Sequence, residues 1–189
     1  MKIAVGLVGT NGAGKSTACE LLEEDGFVKI SLSDFLRNIV EEKGLTLDRD
    51  TLTSEANKIK SEFGYAFLAK KAIEHAIENN LQKVIFDSVR HPDEVGFLKS
   101  KNVLFIGIDA PIELRFTRIS SRMKETDQVD FETFKRQDDY ERFGESKGQN
   151  IEAAFKQCVQ IISNTDSREI LRTKLLAVLG DLVNATPNC

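Results

Sequence analysis

The sequence predicts an α/β domain in three layers, a mostly parallel five-stranded sheet with helices on both faces. Two observations predict it. Short apolar runs alternate with longer stretches of helical periodicity, the order that builds a parallel sheet through crossover helices. A glycine-rich loop, Gly9-Thr10-Asn11-Gly12-Ala13-Gly14-Lys15-Ser16-Thr17, stands between the first apolar run and the first helical one.

The elements follow in order. KIAVGLVG (2–9) reads as a buried strand, and KSTACELLEEDG as a helix closed by Gly26. FVKIS (27–31) is a second strand, and SDFLRNIVEEKG a helix capped by Ser33 or Asp34 and ended by Gly44. From Asp50 to Asn80 the pattern is helical: Leu52, Ala56, Ile59 and Phe63 share a face, Gly64 breaks it, and Phe67, Leu68, Ala72, Ile73, Ala76 and Ile77 continue it. KVIFD (83–87) and NVLFIGID (102–109) are buried strands, separated by a helix beginning near Pro92. IELRFTRISSRMK (112–124) predicts a helix with a basic face, and 125–157 two helical pieces around FGESKG. QIISN (160–164) predicts a fifth strand and 167–183 a closing helix. His75 falls opposite the apolar stripe of its helix, His91 reads as a pre-proline turn residue, and Glu94 as a cap of the helix after it.

At 189 residues, with no repeat, linker or low-complexity tract, the chain suits a single domain (1–189). Apolar content of 41% and charged content of 30% are ordinary for a globular protein. A net charge of −4 gives no general affinity for nucleic acid or an anionic membrane, so neither is expected as a partner. Cys19, Cys158 and Cys189 lack CxxC spacing, which argues for a reducing compartment and against a disulfide framework or zinc site. No apolar run is long enough to span a bilayer, and the N-terminus lacks signal-peptide architecture; the expectation is a cytoplasmic protein.

Gly9 to Ser16 fits G-x-x-x-x-G-K-[ST] between strand and helix, the context that makes this loop a phosphate cradle. Glycines let successive backbone N–H groups curl inward on phosphate oxygens, and the following helix adds its free N–H groups and positive dipole end. Gly9, Asn11, Gly12, Ala13, Gly14, Lys15, Ser16 and Thr17 are therefore the expected nucleoside triphosphate contacts, with Lys15 at the β/γ-phosphates and Ser16 as a Mg²⁺ ligand. Asp87, ending a buried strand, sits at the edge where open α/β sheets bind ligands, near the same ion.

The segment Ile30-Ser31-Leu32-Ser33-Asp34-Phe35-Leu36-Arg37 closely resembles the I-S-T-G-D-x-L-R of nucleoside monophosphate kinases, the adenylate kinase-like branch of P-loop NTPase folds. The resemblance implies that Arg37 grips the acceptor's monophosphate and that Asp34 helps hold hydrated Mg²⁺. Asp87-Ser88-Val89-Arg90 is similar to the D-G-x-P-R of adenylate kinases and, better in spacing, to the D-G-[IV]-R of a group of kinase-like proteins. It implies Arg90 as the other half of the acceptor clamp. Arg118 and Arg122 match the R-x-x-x-R on the helix entering the lid of these proteins, which implies catalytic arginines closing over the γ-phosphate, with Arg115 a weaker candidate and Arg136 a further one. Lys124 extends the basic stripe, whose repulsion calls for anions opposite: either the acidic residues downstream or a transferred phosphoryl group. Asn164 fits an I-x-N pattern beside the donor base, although Cys158-Val159 stand where related sequences have Ala-Asp. Residues 45–70 look like the T-R-E-x-L…N-x-L-R…G stretch of nucleotide-kinase-like domains, some of which accompany deoxycytidylate deaminases, with Asp48 and Lys60 as departures.

The resemblance spans about residues 1–168 and implies a P-loop core with an acceptor-binding segment at about 32–80 and a lid at about 118–150. The expected activity is transfer of the ATP γ-phosphoryl, with Mg²⁺, to a nucleoside or deoxynucleoside monophosphate, by a monomer or homodimer. Dephospho-CoA kinase, of similar size and plan, is the alternative; its acceptor is a ribose hydroxyl, for which Asp34 would serve as base. A non-catalytic nucleotide-binding switch is the other, against which stands the absence of N-K-x-D after the fourth strand.

Overall fold

The computed structural model describes residues 1–122, 129–143 and 150–185, with side chains as far as 180. Its elements are β1 (Ile3–Val8), α1 (Lys15–Glu24), β2 (Val28–Ser31), α2 (Leu32–Glu42), α3 (Arg49–Phe63), α4 (Phe67–Glu78), β3 (Lys83–Asp87), α5 (Pro92–Ser100), β4 (Leu104–Asp109), α6 (Ile112–Ser120), α7 (Phe131–Phe143), α8 (Ile151–Phe155), β5 (Gln160–Ser163) and α9 (Arg168–Ala185). The five strands form one parallel sheet in the order β2-β3-β1-β4-β5.

Strand periodicity divides the core. Ala4 and Val8 of β1, with Val84, Phe86 and Phe105, face α4, α5 and α8 through Ala72, Ile73, Val95, Leu98 and Phe155. Val5 and Leu7, with Ile85, Ile106 and Ile162, face α1 and α9 through Leu21, Leu22, Leu171 and Leu175. Both faces of each central strand are covered, which is why β1 and β3 read as continuous apolar runs. A Cβ on Gly6 would lie 2.3 Å from the Phe105 ring, so the smallest residue makes room for a large one on the next strand.

The chain leaves β1 by α1 for the edge strand β2, returns beside β1 as β3 and then crosses to its other side as β4, so a crevice opens at the C-terminal ends of these strands. The register Ser31↔Asp87 and Asp109↔Ser163 brings polar residues to that edge from all four outer strands.

The expected strands and helices are present, with shifts at their ends. α2 begins at Leu32, ahead of the expected Ser33 or Asp34 cap, because Ser31 already has the extended backbone of an N-cap. α3 starts behind Asp48, whose carboxylate accepts from the Thr51 N–H. Gly64 does break the helical stretch, at φ 83°, a left-handed turn that glycine takes without strain. Phe63 and Ile77 leave the apolar stripe assigned to them: both are exposed, and Phe63 stacks on Phe67 at the turn. α7 and α8 are the two helical pieces expected within 125–157; parts of the expected lid (123–128, 144–149), with Lys124, lie outside the described residues, as does Cys189. Cys19 is buried and Cys158 half-buried, and burial pushes both thiols up to about 12, far from reactive thiolates. No described helix is long and apolar enough to cross a membrane.

Candidate active site

The glycine-rich loop leaves β1 and turns into α1 through two left-handed glycines, Gly12 (φ 78°) and Gly14 (φ 102°). Both are also crowded: a Cβ on Gly12 would lie 2.7 Å from the Arg115 carbonyl oxygen, and one on Gly14 2.2 Å from the Asn164 amide nitrogen. Conformation and space thus both require glycine. α1 begins with Gly14 at its N-cap, no side-chain cap and no acid in its first turn, so its free N–H groups and positive end remain for an anion.

Lys15 folds back over this loop, donating to the carbonyl oxygens of Gly9 (2.6 Å) and Thr10 (3.0 Å). Burial pushes its ammonium down to about 8 against the opposing pull of the Asp87 carboxylate. Arg90 pushes in the same direction as burial, and Glu141 of α7 against it. Residues from the ends of β1 and β3 and from α7 therefore share one electrostatic neighbourhood. Ser16 is exposed at the head of α1 and Asp87 is half-buried, two hard oxygen donors of the kind Mg²⁺ takes, so the residues fit that ion.

Of the residues expected to hold an acceptor, Arg37 and Asp34 form an exposed pair on α2 (2.9 Å), and Arg37 also donates to the Ser33 hydroxyl. Arg90 is exposed just past β3. Its backbone N–H and that of His91 both donate to the buried Glu94 carboxylate, while His91 accepts from the Asp93 N–H; together these form a capping box on α5. Burial raises Glu94 above the usual carboxylate range. Glu94 thus caps α5, as expected. His91 is a cap too, stacked on Tyr65 with centroids 3.9 Å apart. His75 is exposed, touching Phe35 edge-on.

The arginines of α6 divide. Arg115 is 1% exposed and fully engaged, pairing with Asp138 of α7 through both terminal nitrogens and donating to the carbonyls of Ala110 and Asn11. This argues against its candidacy as a transferring arginine: four of the five N–H donors of the guanidinium are taken within the protein and the side chain is buried, out of reach of a phosphoryl group. Arg118 donates to the Asn164 carbonyl (2.9 Å), and its other terminal nitrogen is buried with no partner among the described residues, a charged donor beside the loop. Arg122 is exposed beyond the end of α6, and Arg136 is exposed on α7 beside Thr133.

Asn164 is buried, and its amide donates to the Ala13 carbonyl (2.8 Å) while its backbone N–H donates to Asp109. It braces the glycine loop from the end of β5, which spacing alone did not suggest. Asp109 was not singled out from the sequence either; it ends β4, meets Thr10 and the Ala110 N–H, and pairs with Arg142 at 3.3 Å. A run of D-A-P after an apolar strand was the available signal. Among the described residues no group of three or more His, Cys, Asp or Glu gathers to hold a metal.

Comparison with known proteins agrees with this arrangement. The family model described as an AAA domain matches residues 5–144. A UPF0200 protein of Thermococcus gammatolerans is 31% identical over 185 residues, covering 94% of this chain and 94% of its own. Among solved structures, TT1252 from Thermus thermophilus superposes with a TM-score of 0.63 at 21% identity, covering 95% of this chain and 97% of its own. Dephospho-CoA kinase from Campylobacter jejuni superposes with a TM-score of 0.58 at 23% identity, covering 97% and 98%. At these identities the two structures show a shared fold, the P-loop kinase-like α/β sandwich.

Proposed function

The chain belongs to the AAA-domain family matched by that model and to the UPF0200 proteins, and from that premise we propose that it is an ATP-dependent kinase moving the γ-phosphoryl to a nucleoside or deoxynucleoside monophosphate. The observation that carries this reading is the glycine loop with Lys15 folded over it (2.6 Å to the Gly9 carbonyl) at the uncapped head of α1, with Asp87 and Arg90 from the end of β3 within electrostatic reach. A switch protein needs the loop; it does not need the phosphate-clamp arginines that the resemblance assigns to Arg37 and Arg90.

In this reading the loop N–H groups, the head of α1 and Lys15 hold the donor's phosphates. Mg²⁺, held by Ser16 and Asp87 with Asp34 assisting, would supply positive charge to the β- and γ-phosphate oxygens. Arg37 leaves Asp34 to grip the acceptor's phosphate with Arg90, fixing it in line with the donor. Arg118 and Arg122 stabilise charge that develops during transfer, and the covering segment excludes water as a competing acceptor. A phosphate acceptor is already anionic at neutral pH and needs no strong base. The dephospho-CoA kinase alternative needs one, and Asp34, paired with Arg37 in the free protein (2.9 Å), is the carboxylate that would have to be released to serve.

The test is a screen of the ribo- and deoxyribonucleoside monophosphates and dephospho-CoA with Mg·ATP, followed by Arg37→Ala and Arg90→Ala on the acceptor it finds. Each variant should lose about 1.5–3 kcal/mol of acceptor binding, the scale of a hydrogen bond to a charged group, with ATP affinity little changed. Turnover with dephospho-CoA alone would assign the chain to the hydroxyl-acceptor kinases. Loss of ATP binding with intact acceptor binding would put both arginines on the donor side.

A further inference from the structure

Ser88 follows Asp87 with a φ of 61°, a left-handed conformation that glycine adopts freely and serine does not. Its hydroxyl lies 3.2 Å from Ser31 Oγ and 3.4 Å from Ser33 Oγ, placed to accept from either, and these two are bonded to each other at 2.9 Å. A serine hydroxyl has one proton to give and two lone pairs. The 2.9 Å bond uses the proton of Ser31 or Ser33, and the other is left to donate to Ser88; either way Ser88 accepts, and among the described residues its own O–H has no acceptor. Ser31 adds a second oddity. It occupies the N-cap of α2, with the extended backbone that suits a capping serine, yet its side chain makes no cap bond and turns to the other hydroxyls instead. The head of α2 therefore keeps free N–H groups, and Arg37 reaches the same place through Ser33 at 3.3 Å. The nearby acid, Asp34, is matched by Arg37. In the patterns these segments resemble, I-S-T-G-D and D-G, glycines stand where this chain has Ser33 and Ser88, so both departures meet in one contact.

We propose that the Ser31–Ser33–Ser88 hydroxyl cluster is a binding element for an anionic phosphate oxygen of the acceptor, with Ser88 as the donor and the other two hydroxyls polarising it. The proposal rests on the kinase reading for its substrate class, a phosphate monoester, and deepens it: the clamp is two arginines plus a hydroxyl held in a strained backbone. A strained serine persists where the surrounding structure holds it, and the hydroxyl is what a glycine there would lack.

The experiment titrates methyl phosphate, the smallest phosphate monoester, into the full chain saturated with Mg²⁺ and a non-hydrolysable ATP analogue, following binding by calorimetry. Ser88→Gly and Ser88→Ala should each weaken methyl phosphate about tenfold or more, as loss of a hydrogen bond to a charged group does, without changing affinity for the ATP analogue. Thermal unfolding separates strain from chemistry. Ser88→Gly should raise Tm because it relieves the left-handed serine, whereas Ser88→Ala, which keeps the Cβ, should not. Wild-type affinity for methyl phosphate in both variants would overturn the proposal, as would no binding by the wild type itself. A Ser88→Gly variant of lowered Tm with intact binding would make the cluster a brace between β2 and β3 and overturn it equally. Serine-dependent methyl phosphate binding in a protein that transfers phosphoryl to no acceptor would support this site and sink the kinase reading instead.

Discussion

Burial holds the Lys15 ammonium down near 8, against an ordinary value of 10.5, and this sets a proton linkage that nucleotide binding should expose. A base whose folded pKa lies below its unfolded one opposes folding while it is charged in both states. That cost is present in full below about pH 8 and fades as pH rises from there to 10.5. Donor phosphates around the ammonium favour its charged form and move its pKa back up. Near pH 8.5, therefore, binding of an ATP analogue should take up a fraction of a proton, read as a dependence of the calorimetric heat on the buffer's ionisation enthalpy. Lys15→Ala should abolish the uptake and remove nearly all transfer while leaving the fold intact, because the side chain is tied only to the carbonyls of its own loop. Equal heats in buffers of different ionisation enthalpy would place the ammonium away from the phosphates. At this scale the sequence was most informative where chemistry is local. Gly12, Gly14 and Lys15 lie within one loop, and their positions require their types. Ser88 was not legible in that way, since a serine at φ 61° carries no mark in sequence of the conformation it is held in.

Helix α6 shows why an element can be foreseen while the work of its side chains is not. Arg115, Arg118 and Arg122 repeat at helical spacing, and their repulsion called for anions from the protein or from a ligand. The structure divides the answer along the helix. Arg115, near the sheet edge, is buried on Asp138; Arg118 is half-buried on a carbonyl with one donor unanswered among the described residues; Arg122 is exposed. The partner of Arg115 is 23 residues away, and the Asn164–Ala13 bond spans 151. No periodicity reports contacts of that kind, whereas strand order, helix ends and the Gly64 break are set by neighbours in sequence and were legible. The pair has a measurable consequence. Asp138→Ala leaves a buried guanidinium half-answered beneath α7 and should cost about 3–5 kcal/mol in urea unfolding. Replacing both partners with apolar residues, Arg115→Met with Asp138→Leu, should recover much of that loss, because the charge that needed burying is gone. A loss below about 1 kcal/mol from Asp138→Ala would mean that α7 is held by Phe134 and its aromatic neighbours alone.

Across the whole molecule, the glycine loop is clasped from two sides, and both clasps lead to the segment expected to cover the substrates. Arg115 ties the Asn11 carbonyl to Asp138 of α7, and Asn164 ties Ala13 to Arg118 of α6. α7 also carries Glu141, whose carboxylate is close enough to favour the charged form of Lys15 in the free protein. Phosphates arriving at Lys15 would repel that carboxylate, so we expect the end of α7 to respond when the donor binds, while its middle stays pinned by the buried pair. If the proposed lid closes here, the buried Arg115–Asp138 pair would be its fixed root, and the described groups expected to move are 119–122 on α6 and 139–143 on α7. Hydrogen exchange should register the difference. Amides around 114–116 and 134–138 should be protected with or without ligand, and those at 119–122 and 139–143 should slow with a bisubstrate analogue joining adenosine to the acceptor through a phosphate chain. ATP alone should produce a smaller change, since it offers oxygens to one side of the crevice. Arg122→Ala should lower turnover more than it weakens ATP binding, because the charge it answers develops during transfer. If the arginines are instead a static surface balanced by the acids downstream, exchange will not change with either ligand and the variant will turn over normally; that pair of results would remove the lid from the mechanism.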